Sequence, residues 1–404
     1  MLLKNLILGV EVIKSVGNLN LDITNIHSDS RKIKEGGLFV AINGFTKNGI
    51  EFIDSAIENG AKALIVEPDV EVESLFEKYN MPVISVKNTR KALAEVACNF
   101  YDNPSKKLKL IGVTGTKGKT TSTFMIKSIL EAHGLNVGLI GSIAVYINEE
   151  KIEDTDRTTP ESIEIQKHLR TMVDRNVDVA IIEVSSQAMK LNRVTGCEFD
   201  VGLFTNLSED HISPKEHPSM EDYFNCKLQL IKLAKHGVIN NDDEKVKTIK
   251  NLLPEKDIET FAMENEADFK VNPNNVEITD SHIDFSIMYK GKEERIEACI
   301  PGKFSVYNAA GAIAVASYFD VTADEIRTAL KDLRVLGRSE LVPNKLGLTI
   351  MIDYAHTPDA IEKIINTMKE VTKGNIYTVF GCTGDRDRTK RPIMLKLVTS
   401  LSRY

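Results

Sequence analysis

The run Gly115-Thr-Lys-Gly-Lys-Thr-Thr121 combines the residue types that most directly indicate chemistry in this chain. An apolar segment at 110–113 precedes the run, and a helical pattern extends from Thr120 to His133. Strand, glycine turn and helix in this order form a phosphate cradle, because glycines let backbone amides approach phosphate oxygens. Lys119 is placed to reach the β- and γ-phosphates, and Thr120 offers a hydroxyl to Mg²⁺. We therefore predict a nucleotide-binding site.

The glycine spacing of this loop differs from the general P-loop, in which a glycine stands five residues before Gly118. Val113 occupies that position, and the glycines at 112 and 115 both miss it. The alternative interpretation is a glycine turn that only joins a strand to a helix. The Gly-Lys-Thr sequence between a strand and a helix favours the nucleotide site.

Length and composition narrow the class of protein. The 404 residues predict two or three domains, and a hydrophobic content of 42% is ordinary for a soluble protein. The net charge of −7 argues against nucleic acid as a partner, and no apolar run is long enough to predict membrane insertion. Five scattered cysteines without a CxxC pair predict reduced thiols and no zinc site. We expect a cytoplasmic enzyme.

The order of predicted elements indicates an α/β fold in three parts. Residues 1–105 are predicted as a small α/β domain, 106–332 as a nucleotide domain and 333–404 as a third α/β unit. Strands are predicted in the third part at 348–353 and 376–380. Two strands are too few for a self-sufficient parallel domain, so we expect the C-terminus to be truncated.

Polar residues end the apolar strand predicted at 177–184, in the segment Glu183-Val-Ser-Ser186. Ligands of parallel α/β sheets bind at the carboxyl ends of the strands, so Glu183 is placed to hold a metal near the P-loop. The alternative is an ordinary solvated glutamate. Upstream, Thr159 followed by Pro160 predicts a helix with Thr159 as its N-cap.

A helix is predicted after Ser219, because the spacing from Ser219 to Asp222 is that of a capping box. The unusual feature of this helix is a lysine among apolar residues. Lys227 shares a helical face with Tyr223 and Ile231. Desolvation would lower the lysine pKa and leave a neutral, nucleophilic amine. The alternative, which the pattern alone favours, is a lysine that extends into solvent from the edge of the face.

For two other polar residues, Asn308 and Arg386, the sequence leaves two interpretations open. Asn308 lies in a helix rich in small residues, where it faces a ligand or simply lines the helix. Arg386 belongs to a basic segment, 386–391, that either binds a carboxylate or phosphate or forms a solvated charged loop.

Taken in order, these motifs resemble those of the Mur ligases, and most closely the UDP-N-acetylmuramoyl-tripeptide synthetase (MurE) type. The resemblance rests on segments 28–31, 36–41, 115–121, 158–160, 183–186, 206–211, 353–358, 384–387 and 390–392. The loop alone indicates only the wider superfamily, which includes folylpolyglutamate synthases. The shorter glycine spacing of the Mur ligases also accounts for Val113.

The resemblance implies a three-domain architecture with a central P-loop parallel-sheet ATPase domain and an incomplete C-terminal Rossmann-like domain. It implies an ATP-dependent amide ligase of peptidoglycan precursor synthesis that works through an acyl phosphate. A diamino acid, meso-diaminopimelate or L-lysine, would be added to the D-glutamate of UDP-N-acetylmuramoyl-L-alanyl-D-glutamate. The choice between the two amino acids is open, because the family segment that reads the amino acid does not occur before Tyr404.

The resemblance also implies roles for individual residues. The muramoyl-dipeptide would be held by Ser30, Thr158, Thr159, Ser185 and Arg193, and the incoming amino acid by Arg386. ATP would be bound by Gly115, Thr116, Lys117, Gly118, Lys119, Thr120 and Thr121, with Asn308, Arg338, Asp353 and His356. Mg²⁺ would be held by Thr120, Glu183, His211 and a carbamylated Lys227. Lys119, Lys227 and His211 would be the catalytic residues.

Two competing functions are weighed against the tripeptide ligase. One is another amide ligase of the superfamily, such as folylpolyglutamate synthase, against which the segment 28–41 argues. The other is an inactive nucleotide-binding fragment, suggested by the early stop at Tyr404. Departures from the family pattern at Gln187 and Leu191 also leave substrate contacts there open.

Overall fold

The computed structural model describes residues 1–44, 47–213, 216–382 and 388–403. The chain divides into two compact units. The first unit consists of Met1–Thr114, Asn136–Gly202 and His211–Lys235. The second unit consists of Gly115–Leu135, Leu203–Asp210 and the chain from His236 onward. Among the described residues, no helix is both long enough and apolar enough to span a bilayer.

The N-terminal part of the first unit is a five-stranded sheet with helices. Its strands are β1 (Val12–Val16), β2 (Asn25–His27), β3 (Gly37–Val40), β4 (Ala61–Val66) and β5 (Val83–Val86). Its helices are α1 (Leu3–Leu6), α2 (Ile53–Glu58), α3 (Val72–Tyr79) and α4 (Thr89–Phe100). The strand order is β1-β5-β4-β3-β2, parallel except for the edge pair β1–β5. Asn88 caps α4 by accepting from the Lys91 amide at 2.9 Å.

The rest of the first unit is built on a largely parallel sheet. The strands along this stretch are β6 (Lys109–Thr114), β7 (Val137–Ile140), β8 (Ala144–Ile147), β9 (Glu150–Asp154), β10 (Val179–Glu183) and β11 (Val201–Phe204). The helices are α5 (Lys119–Ala132), α6 (Ser162–Asp174), α7 (Ser186–Lys190) and α8 (Met220–Leu233). Helix α5 belongs to the second unit, and β11 is divided between the two.

Within the first unit, β10 lies between β6 and β7 and is parallel to both, and the hairpin strands β8 and β9 continue from β7. Leu110 of β6 and Ile182 of β10 are fully buried in the core of this sheet. Strands covered on both faces are expected to read as continuous apolar runs, as these two do.

The second unit joins α5 to the remaining elements. Its other strands are β12 (His236–Asn240), β13 (Asp257–Ala262), β14 (Phe269–Lys270), β15 (Glu277–Ile278), β16 (Ile283–Tyr289), β17 (Lys292–Ala298), β18 (Glu340–Leu341) and β19 (Met351–Ile352). Its other helices are α9 (Ile249–Leu252), α10 (Lys303–Ala316), α11 (Ala323–Lys331), α12 (Pro358–Val371) and α13 (Lys390–Leu401). Strands β12, β13 and β14 are parallel neighbours, whereas β15-β16-β17 and β18-β19 pair antiparallel. Helix α10 packs against α5, β12 and β13.

The α/β class and the parallel sheet that carries the P-loop are confirmed, and three local predictions are wrong. Helix α6 begins at Ser162 with Glu161 as its N-cap in a reciprocal capping box, so Thr159 is not the cap. The strand predicted at 348–353 shrinks to β19. Residues 376–380 form only an isolated bridge at Tyr377, because strand propensity needs a neighbouring strand and the described residues provide none there.

Candidate active site

The glycine turn between β6 and α5 has a conformation that requires glycine. Gly118 is the N-cap of α5 and has φ +85°, which ordinary side chains adopt only at a cost. A Cβ atom at Gly118 would also collide with Oδ1 of Asn308. Because the cap is glycine, no side-chain oxygen of the cap residue accepts from the first amides of α5.

The segment after β11 both accepts hydrogen bonds from the loop and donates hydrogen bonds to it. Asn206 accepts from the Thr116 amide with its carbonyl and from the Lys117 amide with Oδ1, both at 2.9 Å. Its Nδ2 donates to the Lys117 carbonyl at 3.0 Å, to which the Thr205 hydroxyl also donates at 2.7 Å. A Cβ atom at Gly115 would collide with that Thr205 hydroxyl. The loop is therefore fixed on both sides of Lys117.

Lys119 and Thr120, the two side chains predicted to face the ligand, are the first two residues of α5. The Lys119 ammonium donates to the carbonyls of Gly115 at 2.9 Å and Thr116 at 3.1 Å, so it lies across the loop. Thr120 is buried, and its hydroxyl accepts from Nη2 of Arg338 at 3.2 Å. An ammonium in this place is suited to phosphate oxygens.

Three more predicted nucleotide residues follow in the second unit. Arg338 stacks its guanidinium over the Tyr354 ring at 4.6 Å. Asp353 accepts from the backbone amides of Ser339 and Ala355, both at 2.8 Å. His356 donates from Nδ1 to the Tyr354 carbonyl at 3.0 Å, because a carbonyl oxygen can only accept. Burial lowers the pKa of His356, which favours the neutral ring.

Sequence reasoning missed a contact between the loop and the third predicted domain. The Lys117 ammonium donates to Oδ2 of Asp210 at 3.2 Å and to the hydroxyl of Thr357 at 3.3 Å. Thr357 is also the N-cap of α12. Both partners lie inside the quoted motifs 206–211 and 353–358, but nothing in their spacing indicates that they meet at Lys117.

In the first unit, Glu183 is fully buried at the carboxyl end of β10, so the solvated alternative is wrong. Its carboxylate accepts from the Ser142 amide at 2.9 Å and from the Ser142 hydroxyl at 3.0 Å. The same Ser142 hydroxyl lies 3.0 Å from the hydroxyl of Thr158. Ser142 had no sequence signal, since a Gly-Ser pair after a strand is an ordinary turn.

Thr159 connects three of the residues predicted to bind the muramoyl-dipeptide. Its hydroxyl donates to the Glu183 carbonyl at 2.7 Å and accepts from the Ser185 amide at 3.0 Å, which is why it is not available as a helix cap. Its carbonyl accepts from Nη1 of Arg193 at 3.1 Å. Arg193 is buried and also pairs with Glu161 at 3.0 Å. Burial lowers the pKa of Arg193.

Lys227 is 1% exposed, so the alternative of a lysine that extends into solvent, which the local pattern alone favoured, is wrong. Its Nζ lies 4.6 Å from the centroid of the Tyr223 ring, one turn earlier in α8. Leu230 and Ile231, on the same face, are fully buried. A buried amine is the environment that favours the uncharged form.

The remaining predicted residues occupy different settings. His211 adopts φ +60°, a conformation uncommon for a non-glycine residue and concentrated at functional sites, and its Nδ1 lies 3.1 Å from Glu216. Ser30 is buried, and its carbonyl accepts from Nδ2 of Asn59 at 3.1 Å. Arg386 lies outside the described residues.

The predicted nucleotide residues are thus gathered in the second unit, and the predicted dipeptide residues lie in the first. The predicted magnesium ligands have members in both units: Thr120 in the second, and Glu183, His211 and Lys227 in the first. The roles of all these residues stay predictions.

Comparison with family models covers most of the chain. Residues 22–101 match the catalytic domain of the Mur ligase family, residues 113–316 the Mur ligase middle domain and residues 337–404 the Mur ligase glutamate ligase domain.

Individual relatives agree with these matches. The UDP-N-acetylmuramoyl-L-alanyl-D-glutamate–2,6-diaminopimelate ligase of Clostridium botulinum is 46% identical over 385 residues, which span 94% of this chain and 78% of that protein. A solved structure of a ligase with the same name has a TM-score of 0.78 at 24% identity and covers 100% of this chain and 81% of its own. The MurF ligase of Thermotoga maritima in complex with ADP has a TM-score of 0.62 at 19% identity, over 92% of this chain and 81% of its own.

Three observations indicate the same family. They are the match to the middle-domain model, the identity to the clostridial relative and the P-loop geometry of Gly118 and Lys119. This chain belongs to the Mur ligases, the ATP-dependent ligases that join an acid to an amino acid.

Proposed function

We propose that this chain ligates 2,6-diaminopimelate to UDP-N-acetylmuramoyl-L-alanyl-D-glutamate with the hydrolysis of ATP to ADP and phosphate. The substrate assignment rests on the 46% identity, over 94% of this chain, to a relative that bears the name of this reaction. The motifs alone leave meso-diaminopimelate and L-lysine open, and the relative's name favours diaminopimelate. We place the reaction in the cytoplasm, where ATP is available.

ATP binding is assigned to the loop 115–121 together with Asn308, Arg338, Asp353 and His356. The fit is supported by Gly118, where any Cβ would fill the space between the start of α5 and Asn308. The helix N-terminus and the Lys119 ammonium provide the positive charge that a triphosphate needs.

The muramoyl-dipeptide is assigned to Ser30, Thr158, Thr159, Ser185 and Arg193. Support comes from the hydrogen bonds that tie Ser185 and Arg193 to Thr159, and Thr158 to Ser142, because such ties hold polar side chains ready for a ligand. The carboxylate of the incoming amino acid is assigned to Arg386. The three domains, 1–105, 106–332 and 333–404, are proposed to bind the UDP substrate, ATP and the amino acid respectively.

Mg²⁺ is assigned to Thr120, Glu183, His211 and Lys227. The buried Glu183 carboxylate and the Thr120 hydroxyl are oxygen ligands of the kind that Mg²⁺ prefers. An ammonium cannot bind a cation, so Lys227 fits only as a carbamate. Its neutral amine would form an N–C bond with CO₂ and release one proton, giving an anionic oxygen ligand. The Lys227 amine is buried, at 1% exposure, and lies over the Tyr223 ring.

The mechanism follows from the charges of the reactants. A carboxylate does not react with an amine at neutral pH, so the D-glutamate γ-carboxylate first attacks the γ-phosphorus of ATP, which forms an acyl phosphate and releases ADP. Lys119 offsets negative charge on the transferred phosphoryl group. When bound, Mg²⁺ supplies further charge neutralisation. The amino group then attacks the acyl carbon and loses a proton, and the tetrahedral intermediate expels phosphate.

The test is phosphate release from ATP in the presence of the UDP-muramoyl-dipeptide, with meso-diaminopimelate, L-lysine or neither. We expect release that depends on both the dipeptide and diaminopimelate, together with a new amide-linked product by mass spectrometry. Release that depends on L-lysine instead would overturn the amino-acid assignment. Release that depends on a folate and glutamate would overturn the substrate assignment altogether.

A further inference from the structure

Beyond the residues assigned above, a buried histidine connects three segments that carry them. His217 is 0% exposed, and each of its ring nitrogens has a partner. Nδ1 lies 2.7 Å from Oδ2 of Asp222, and Nε2 lies 2.9 Å from the hydroxyl of Ser186. Ser186, His217 and Asp222 thus form a continuous serine–histidine–aspartate hydrogen-bonded series, which we call the His217 relay.

The chemistry of the partners fixes the direction of each hydrogen bond. A carboxylate can only accept, so Nδ1 of His217 donates to Asp222. With the proton on Nδ1, Nε2 is the acceptor for the Ser186 hydroxyl. The charged groups that face the relay are Asp222 itself, Lys190, which donates to Asp222 at 3.0 Å, and Lys227. One tautomer of one ring therefore orients Ser186.

Each side of His217 touches a segment with a proposed role. Its backbone amide donates to the carbonyl of His211, the residue with φ +60°, at 3.3 Å. Its Nε2 holds Ser186, the residue after Ser185 and the first residue of α7. Its ring lies 5.1 Å from the Tyr223 ring, over which the Lys227 amine is placed.

The capping pattern of α8 shows that the Asp222 carboxylate is committed to this relay. The spacing from Ser219 to Asp222 predicts a reciprocal capping box, and only half of it forms. The Ser219 hydroxyl accepts from the Asp222 amide at 3.2 Å, whereas the carboxylate binds His217 and Lys190 instead of the Ser219 amide. The predicted capping box is therefore incomplete because the Asp222 carboxylate makes hydrogen bonds to His217 and Lys190, and a charge-assisted hydrogen bond to an ammonium is stronger than one to a backbone amide.

We propose that His217 is a positioning residue for the ligation reaction, which sets Ser185, His211 and Lys227 relative to one another through the His217 relay. This inference rests on the proposed ligase function. A hydrolase role for the same series is excluded by access, because His217 is 0% exposed and Ser186 is 4% exposed. His217 acts through its neighbours and does not touch the reacting atoms.

The test uses Asp222→Asn, which keeps the backbone amide that donates to Ser219 and removes the carboxylate that accepts from His217 and Lys190. The asparagine amide can donate to Nδ1, so we expect the proton to move to Nε2 of His217. Nitrogen chemical shifts of ¹⁵N-histidine-labelled protein report this change directly. We expect kcat to fall about 10- to 100-fold and the KM for ATP to stay within about twofold. Losses of this size are typical for residues that orient a ligand-binding side chain without contacting the ligand themselves.

Two further variants keep the test falsifiable. Ser186→Ala removes the Nε2 partner and should lower kcat in the same direction. Cys226→Ala is the matched control, because its thiol lies within 4.8 Å of the His217 and Asp222 ligand atoms without belonging to the relay. We expect wild-type kcat from it. Folding of each variant is checked by its thermal midpoint.

The outcomes separate the two proposals. Wild-type protein that lacks diaminopimelate ligase activity overturns both. Active wild-type protein with an Asp222→Asn variant of unchanged kcat overturns the His217 proposal alone, as does a variant that keeps the Nδ1–H tautomer. Equal losses of kcat in Asp222→Asn and Cys226→Ala would mean general destabilisation of α8 and would also overturn it.

Discussion

Two helices of fourteen residues, α5 and α8, show different ways of making a site from a helix. Helix α5 begins after Gly118, which provides no side-chain cap, so its positive end suits the proposed phosphate ligand. Helix α8 begins after Ser219, whose hydroxyl accepts from the Asp222 amide, and it instead buries Lys227 about two turns later. The first helix works through its backbone, and the second works through burial of one side chain.

This difference between α5 and α8 determines which substitutions are expected to reduce activity. At the start of α5, function depends on backbone shape, so even one added methyl group at Gly118 changes the site. Along α8, the proposed function depends on what surrounds Lys227, so residues distant in sequence, such as Ser186 and His217, are expected to contribute as well. Substitutions at the two helices can separate dependence on backbone shape from dependence on side-chain surroundings.

The largest effect is expected from Lys119→Ala. Removing the ammonium leaves charge on the transferred phosphoryl group without its protein partner, so we expect kcat to fall by about 10³-fold. Steady-state phosphate release measures it. Lys62→Ala is the control, because Lys62 is half-exposed and pairs with Glu35 at the surface. An unchanged kcat in Lys119→Ala would contradict the role given to the loop.

The next effect is expected from Lys227→Met, which keeps the length of the buried side chain and removes the amine. Without a carbamate the metal loses a ligand, so we expect kcat to fall at least about 10²-fold, more than for the loss of an outer-shell group. Activity of the wild type should also decrease in buffers stripped of bicarbonate. Lys232→Met, at an exposed position of the same helix, should have no effect. Full activity in Lys227→Met would rule out the carbamate.

A smaller effect is expected from Gly118→Ala. The added Cβ meets Asn308, and φ +85° is unfavourable for alanine, so we expect ATP affinity measured by calorimetry to fall about tenfold, equivalent to roughly 1–2 kcal/mol. Gly134→Ala separates the two causes, because Gly134 has φ +90° and no atom within 4 Å of its added Cβ. Equal ATP affinity in the two variants would mean that the collision with Asn308 is unimportant.

The smallest effect is expected from Ser219→Ala. Loss of the cap of α8 should reduce the free energy of unfolding by about 1 kcal/mol, measured by urea denaturation, with ATP affinity unchanged. Ser219→Asp should restore stability, since aspartate also caps helices. A loss of ATP affinity in Ser219→Ala would break the distinction drawn between α5 and α8.

The sequence predicted the backbone-defined parts of the molecule well. The β6–loop–α5 order and the burial of β10 with Glu183 at its carboxyl end follow from local patterns, because each is decided within a few residues.

The parts that depend on distant partners were not predictable from pattern. Burial of Lys227 conflicts with its local pattern and was favoured only by family resemblance. Ser142 has its partners, Thr158 and Glu183, at separations of 16 and 41 residues, which no local spacing encodes. The capping box at Ser219 failed because His217, upstream of the helix, competes for the Asp222 carboxylate.

Helix α10 has a consequence for how the second unit is made. Eleven of its fourteen residues are buried, so the helix is apolar almost all round and would be prone to aggregate if exposed. Its packing partners α5, β12 and β13 all precede it in the chain. During synthesis, therefore, the surfaces that cover α10 have already left the ribosome when it emerges. The order of elements along the gene thus shortens the time for which this segment needs a chaperone.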